Sequence, residues 1–184
     1  MVIAYHAIFT TYGTWLPNDP RGSYSKDVYN AELKALAPIL YGRQSPQPDR
    51  RTQSRFRTAA RPRLQRPPYI IKDSTRPVVA SGFREAVTRL EVIVVGCAIM
   101  DDHVHLVVLR SKYRIEYVVN QLKGAATRTL GLRQTPWARC GWNVFLDNWE
   151  AVAAAVRYVE ANPPAAGMAA QHWDFVQPLP DSAW

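Results

Sequence analysis

The sequence predicts an α+β fold with a sheet that is at least partly antiparallel, and three observations carry that expectation. Val92 to Ile99 is an apolar run that Met100-Asp101-Asp102 reverses into His103–Leu109, the pattern of a β-hairpin. Ile3 to Trp15 opens with Ile-Ala-Tyr-His-Ala-Ile-Phe-Thr-Thr-Tyr, rich in β-branched and aromatic residues, as a further strand would be. Apolar residues then recur at helical spacing from Val78 to Leu90 and from Ile115 to Ala126.

Taken in order, the first strand runs from Ile3 to about Trp15. It leads into Gly13–Ser23, where Pro17, Pro20, Asn18-Asp19 and Gly22 mark a structured turn. A short helix is expected from Asp27 to Leu36, capped by Ser25 or Asp27. Residues 24–74 form a basic insertion after the first strand. Within it, residues 43–67 interleave Arg43, Arg50, Arg51, Arg55, Arg57, Arg61, Arg63 and Arg66 with Gln, Ser, Thr and Pro. That segment has no helical or strand period, so a solvated or partly disordered loop is expected, acting as a salt-sensitive phosphate-binding arm. Ser74 or Thr75 then caps a helix with Pro77 in its first turn and Val78, Val79, Phe83, Val87 and Leu90 as its apolar stripe. Arg114 to Leu130 reads as an amphipathic helix closed by Gly131. Its Ile115, Val118, Val119, Leu122 and Ala126 face inward, with Gln121, Lys123, Thr127 and Arg128 toward solvent or a partner. Pro136 to Asp147 is aromatic and irregular, with room for a short strand. Glu150 to Asn162 is a helix stopped by Pro163-Pro164. The tail, residues 169–184, with Trp173, Phe175, Pro178, Pro180 and Trp184, wraps the surface without adding an element.

The composition suits an ordinary soluble protein: 184 residues, 47% hydrophobic and 21% charged, fill one domain better than two. The formal net charge of +8, with arginine well ahead of lysine, points to a polyanionic partner and to bidentate phosphate contacts. The two cysteines, Cys97 and Cys140, make neither a disulfide framework nor a cysteine zinc site. No leader-like segment opens the chain, and Val92 to Met100 is too short to cross a bilayer, so a cytoplasmic location and no membrane partner are expected.

Two short patterns carry chemistry. On a strand, His103 and His105 project from one side while Val104, Leu106 and Val108 line the other, so two imidazoles stand a pleat apart as a ready pair of metal ligands. The same spacing also arises on any half-exposed strand. On the last helix, Tyr158 and Asn162 lie four residues apart on one face. A tyrosine is a nucleophile able to form a covalent intermediate, and an amide oxygen is a hard metal ligand. Equally, Tyr158 could be a core aromatic and Asn162 a cap before proline. If that helix packs over the histidine strand, the four groups form one site; if not, there is no catalytic centre.

Here the residues also carry a resemblance. His103-Val104-His105 resembles the His-hydrophobic-His motif of the HUH endonuclease superfamily. Tyr158 with Asn162-Pro163 resembles the single-tyrosine transposases, especially the REP-associated tyrosine transposases. Tyr12-Gly13-Thr14-Trp15-Leu16-Pro17 with Arg21-Gly22-Ser23, Leu122-Lys123-Gly124 with Thr127-Arg128, Trp142 to Asp147, and Asn162-Pro163 to Gly167 extend the likeness in order along most of the chain. The resemblance implies a ferredoxin-like antiparallel sheet with helices packed on it. It implies His103, His105 and Asn162 as ligands of Mg²⁺ or Mn²⁺, and Tyr158 as the nucleophile. The implied reaction cleaves and rejoins single-stranded or hairpin DNA through a 5′-phosphotyrosine, by a monomer or a homodimer. Lys123, Arg128, Arg50, Arg51, Arg55 and Arg57 are the candidate DNA contacts. The sequence departs from the pattern at Met100-Asp101-Asp102, where relatives often carry Met-Pro-Asn, and in the length of residues 24–74. Two other readings stay open: a non-catalytic DNA-binding protein of the same fold, and a metal-dependent hydrolase in which Tyr158 is structural.

Overall fold

The computed structural model describes residues 1–179; Pro180 and Trp184 of the expected tail lie outside the described residues. In chain order the elements are β1 (Ala4–Thr11), α1 (Ala31–Lys34), α2 (Arg50–Ala60), α3 (Arg76–Leu90), β2 (Val94–Ile99), β3 (His103–Leu109), α4 (Ile115–Thr129), β4 (Trp137–Leu146) and α5 (Trp149–Ala165). They divide between two compact units, one of Met1–Thr10 with Ile70–Trp184 and one of Thr11–Tyr69.

The first unit has a four-stranded sheet in the order β2-β3-β1-β4. β3 runs antiparallel to both β2 and β1, with His105 opposite Ala98 on one side and Ile8 on the other. β1 and β4 meet in opposite order: the Ile3 N–H donates to the Leu146 carbonyl at 2.8 Å, and Phe9 meets Trp137 at 5.4 Å between ring centroids. With α3 and α4 as the crossovers, this is the expected ferredoxin-like arrangement. Val104, Leu106 and Val108 are fully buried, and Phe9 on the same side of the sheet packs against Phe83 of α3 and Trp137. The opposite face is also covered. Ala4, Val95, Ala98 and Val107 form a core cluster with Val152, Val156 and Val159 of α5, so α5 lies over the face that carries the histidines.

Helices α3 and α4 follow the periodicity that predicts them, and α4 ends at Gly131 in the left-handed region (φ 65°). They cross closely at Gly82, where an added Cβ would lie 2.6 Å from the Ala126 Cα. Thr75 occupies the cap position of α3, but its hydroxyl donates to the Lys72 carbonyl at 3.0 Å instead of capping the helix.

Four expectations for this unit need correction. Lys123 does not face solvent: it is buried, its Nζ donates to the Ala138 carbonyl at 3.0 Å, and it lies 5.3 Å from the Phe9 ring centroid. A long aliphatic stem can be buried while the ammonium finds a carbonyl, which a period-based reading does not foresee. Residues 137–146 are a full ten-residue strand, because β1 supplies the partner that orders them. α5 runs through Pro163 and Pro164 to Ala165; they sit in its last turn, and the N–H groups of Ala166 and Met168 close it onto the Pro163 carbonyl. The described tail adds one bridge, Val176 to Val94, while the Gln171 amide grips both the N–H and the C=O of Ile99 at 2.8 and 2.9 Å.

The second unit is folded, contrary to the expectation of a loose insertion. Val28, Leu33, Phe56 and Ala60 form its core, with Leu16, Leu36, Ile39 and Leu64 packed around them. Asn30, not Ser25 or Asp27, caps α1, its Oδ1 accepting from the N–H groups of Glu32 and Leu33 at 2.9 and 3.1 Å. Within residues 43–67, α2 is capped by Asp49, whose Oδ1 accepts from the Thr52 N–H at 2.6 Å. Only Phe56 and Ala60 of α2 are buried, one turn apart. Phe56, Ala59 and Ala60 do fall at helical spacing behind the Asp49 cap, and arginine is itself a good helix former, so the helix is present in the sequence beneath its charge. Earlier in this unit, Arg21 grips Asp19 with two hydrogen bonds and stacks 3.9 Å from the Trp15 ring centroid, while the Trp15 indole donates to the Gly22 carbonyl. Gly22 has φ 88°, and a Cβ there would sit 1.8 Å from the Gly42 oxygen, so no other residue fits.

Candidate metal centre and nucleophile

Strand alternation puts His103 and His105 on the α5 side of the sheet, and the β1–β3 register adds a third imidazole. Ile8 pairs with His105 and His6 with Val107, so His6 projects from the same face one pleat away. The side chains form a line. His6 Nε2 is 3.0 Å from His105 Nδ1, His105 Nε2 is 3.0 Å from His103 Nε2, and His103 Nδ1 is 2.6 Å from Asp102 Oδ1. His6 and His105 are buried. Burial, reinforced by His103 and His6 and opposed by Asp102, brings the His105 pKa down to about 3; burial likewise lowers that of His6. Both are therefore neutral imidazoles at physiological pH.

The turn before His103 is held from below. Buried Arg76 donates from Nε to the Ile99 carbonyl at 2.8 Å and from its terminal nitrogen to Asp101 at 2.6 Å. The two aspartates of this turn do separate jobs: Asp101 anchors the turn, and Asp102 orients His103.

α5 supplies the other half. The Tyr158 ring lies 5.5 Å from that of His105 and 5.9 Å from that of His6, edge-on to both, while half of the residue remains exposed. The two halves predicted from sequence therefore meet. Asn162, one turn on, is half-buried; its Nδ2 donates to the Tyr158 carbonyl at 2.7 Å, which leaves Oδ1 as the atom available to a ligand. That amide is turned back on its own helix rather than bonded to the histidines.

The candidate DNA contacts are divided between the two units. Arg128 is exposed on α4, 3.4 Å from Glu85. Arg50, Arg51, Arg55 and Arg57 are exposed on α2 of the second unit, Arg57 reaching Gln53 at 3.0 Å. Lys123 is buried. Sequence reasoning missed His6 and the orienting role of Asp102. The alternation of β1 places His6, Ile8 and Thr10 on one face, but which strand that face adjoins is a property of register alone.

Among the described residues, no three His, Cys, Asp or Glu side chains converge as a ready-made metal cage. Two imidazoles do fit a divalent cation. Ligands at right angles on bonds of about 2.1 Å lie about 3.0 Å apart, which is the Nε2–Nε2 separation here. Each ring also has its Nδ1 held by a partner, the usual support of a metal-binding histidine. Further ligands would be neutral oxygens such as Asn162 Oδ1 or atoms of substrate.

Residues 63–150, which include the whole β2–β3 hairpin, match the family described as "Transposase IS200 like". His6, Tyr158, Asn162 and α2 lie outside that stretch. Among solved structures, a REP-associated tyrosine transposase bound to a REP hairpin is 9% identical, with 91% of this chain and 70% of that chain covered and a TM-score of 0.51, a likeness of fold. A provisionally assigned transposase from Deinococcus radiodurans R1 is 15% identical, with 88% and 91% covered and a TM-score of 0.45. Comparison with curated proteins finds no match.

Proposed function

We propose that this chain, whose residues 63–150 match the IS200-like transposase family, is a transposase that cleaves and rejoins single-stranded DNA with Tyr158 as its nucleophile. The observation that carries the proposal is the meeting of α5 with β3: the Tyr158 ring stands 5.5 Å from that of His105, whose Nε2 lies 3.0 Å from the His103 Nε2. In the step proposed, the Tyr158 Oη–phosphorus bond forms as the phosphorus–O3′ bond breaks. The phenolic proton passes through solvent to the departing 3′ oxygen. The product is a 5′-phosphotyrosine and a free 3′-hydroxyl, with no water consumed, so a 3′-hydroxyl can reverse the attack and rejoin DNA. His103, His105 and Asn162 Oδ1 would hold Mg²⁺ or Mn²⁺, which when bound draws charge from the phosphate oxygens. His105 and His6 flank the Tyr158 ring and limit where it can turn. The exposed arginines of α2, with Arg128, supply phosphate contacts, and a hairpin-bearing single strand is the substrate that the fold likeness suggests.

The test is an incubation with end-labelled hairpin-bearing single-stranded DNA and Mn²⁺, followed by denaturing electrophoresis. A protein–DNA adduct is expected, lost in Tyr158→Phe. Cleavage that survives that substitution makes the protein a hydrolase with a structural tyrosine. Binding with neither cleavage nor adduct makes it a DNA-binding protein only.

A further inference from the structure

We propose that the start of α4 and the β4 edge form a second binding surface, on which unpaired bases of single-stranded DNA stack against Tyr117 and Phe145. The proposal deepens the reading above, resting on single-stranded DNA as the partner, and concerns the face of the sheet opposite Tyr158.

Four aromatic rings gather there in two pairs. Tyr113, just before α4, stacks on Tyr117 four residues later, with centroids 5.3 Å apart and planes at 27°. Tyr5 of β1 meets Phe145 of β4 edge-on at 5.7 Å. Tyr5 pairs with Val108, so it projects to the side of the sheet that α3 and α4 cover. A hydrogen bond joins the two pairs into one surface. Asn143, two residues before Phe145 on the same side of β4, donates from Nδ2 to Glu116 Oε1 at 3.1 Å, and Glu116 precedes Tyr117. Core packing does not account for these rings. Phe145 is 63% exposed and Tyr117 46%, whereas Phe9, Phe83 and Trp137 are buried on the same side of the sheet. Single exposed apolar residues are ordinary, but aromatic rings grouped among cations make a surface for a partner.

Charge selects that partner. Lys112 and Arg114 are exposed beside the rings, with Lys112 Nζ 5.2 Å from the Tyr113 centroid, and Glu116, the acid of this turn, is engaged by Asn143. Aromatic faces next to cations take bases and phosphates together. A duplex keeps its bases stacked on one another, so an unpaired strand is what can use such rings. The strand's path follows from β1. Tyr5 and His6 are consecutive there and project to opposite faces, and the His6 ring lies 5.9 Å from that of Tyr158. β4 is the outermost strand, so DNA held on Phe145 passes around that edge to reach the nucleophile. The surface therefore holds the unpaired segment that flanks the cleaved bond.

The test is fluorescence anisotropy with a labelled single strand free of self-complementarity, in the presence of a chelator so that cleavage does not contribute. Replacing Tyr117 and Phe145 together by Ala should weaken binding roughly 5- to 150-fold, the usual range for one stacked base. Tyr117→Phe with Phe145→Tyr should keep the wild-type affinity. An abasic strand of the same length, and a duplex, should bind the wild type and the alanine variant equally. Unchanged affinity in the alanine variant, or an equal loss on the abasic strand or duplex, overturns the proposal. So does a wild-type dimer in sedimentation that the alanine variant dissolves while binding DNA as before. Failure of the wild type to bind any single strand overturns both this proposal and the function it rests on. The expected loss without a Tyr158 adduct refutes strand cleavage and leaves the surface standing. An adduct with affinity unchanged in the alanine variant does the reverse.

Discussion

Arg76→Met tests how the histidine strand is positioned. The methionine keeps most of the aliphatic packing of this buried side chain and removes its charge and donors. Three contacts are lost, and they are not equal. The Asp73 and Asp101 side chains are 96% and 63% exposed, so water screens and replaces those ion pairs, each worth less than about 1 kcal/mol. The Nε bond to the Ile99 carbonyl is a buried charge-assisted contact worth about 1.5–3 kcal/mol. That carbonyl keeps the Gln171 amide at 2.9 Å, so it is not orphaned, which favours the lower end. Relief of burying a guanidinium trims the loss further. The expected net destabilisation is about 2 kcal/mol, read as a drop of about 1 M in urea midpoint. The loosened turn carries Asp102, so Mn²⁺ affinity should fall as well, while Asp101→Asn should cost less than half as much stability. A midpoint and an Mn²⁺ affinity both unchanged in Arg76→Met would refute the reasoning, and would mean that strand pairing alone holds the turn.

Three further outcomes are expected. Gly82→Ala should destabilise by about 1–3 kcal/mol in thermal melts, because its Cβ would meet the Ala126 backbone at 2.6 Å and α3 and α4 would have to part. Gly124→Ala, whose nearest neighbour is the flexible end of Arg128 at 3.6 Å, should be neutral or slightly stabilising; equal losses at the two sites would contradict the packing argument. Replacing Arg50, Arg51, Arg55 and Arg57 together by Gln should leave the fold intact, since all four are exposed, and should weaken DNA binding with a salt slope shallower by up to about 3. An unchanged slope in a binding titration would remove α2 from the DNA interface. Substitution is the sound form of this test, because deleting residues 43–67 would take Phe56 and Ala60 out of the core of the second unit.

Sequence by itself determined what depends on neighbours along the chain. The alternation that puts His103 and His105 on one face, the stripes of α3 and α4 and the shared helical turn of Tyr158 and Asn162 are periodicities of two or 3.6 residues, and the stop at Gly131 is glycine's own access to positive φ. They follow from backbone geometry without knowledge of the rest of the fold. Tertiary structure alone decided the remainder. That His6 meets His105 depends on the β1–β3 register, and a slip of one residue would turn His6 to the other face. That Lys123 is buried depends on the Ala138 carbonyl and Phe9, and that residues 137–146 are a strand depends on β1 as a partner. α2 has its helical spacing in the sequence, at Phe56, Ala59 and Ala60, but that its apolar turn is buried depends on finding Val28 and Leu33. The candidate site lies on both sides of this divide. His103, His105, Tyr158 and Asn162 are named as candidates by residue type and spacing, but their convergence is not local, because burial of Val152, Val156 and Val159 against the sheet is what brings α5 and Tyr158 to the histidines.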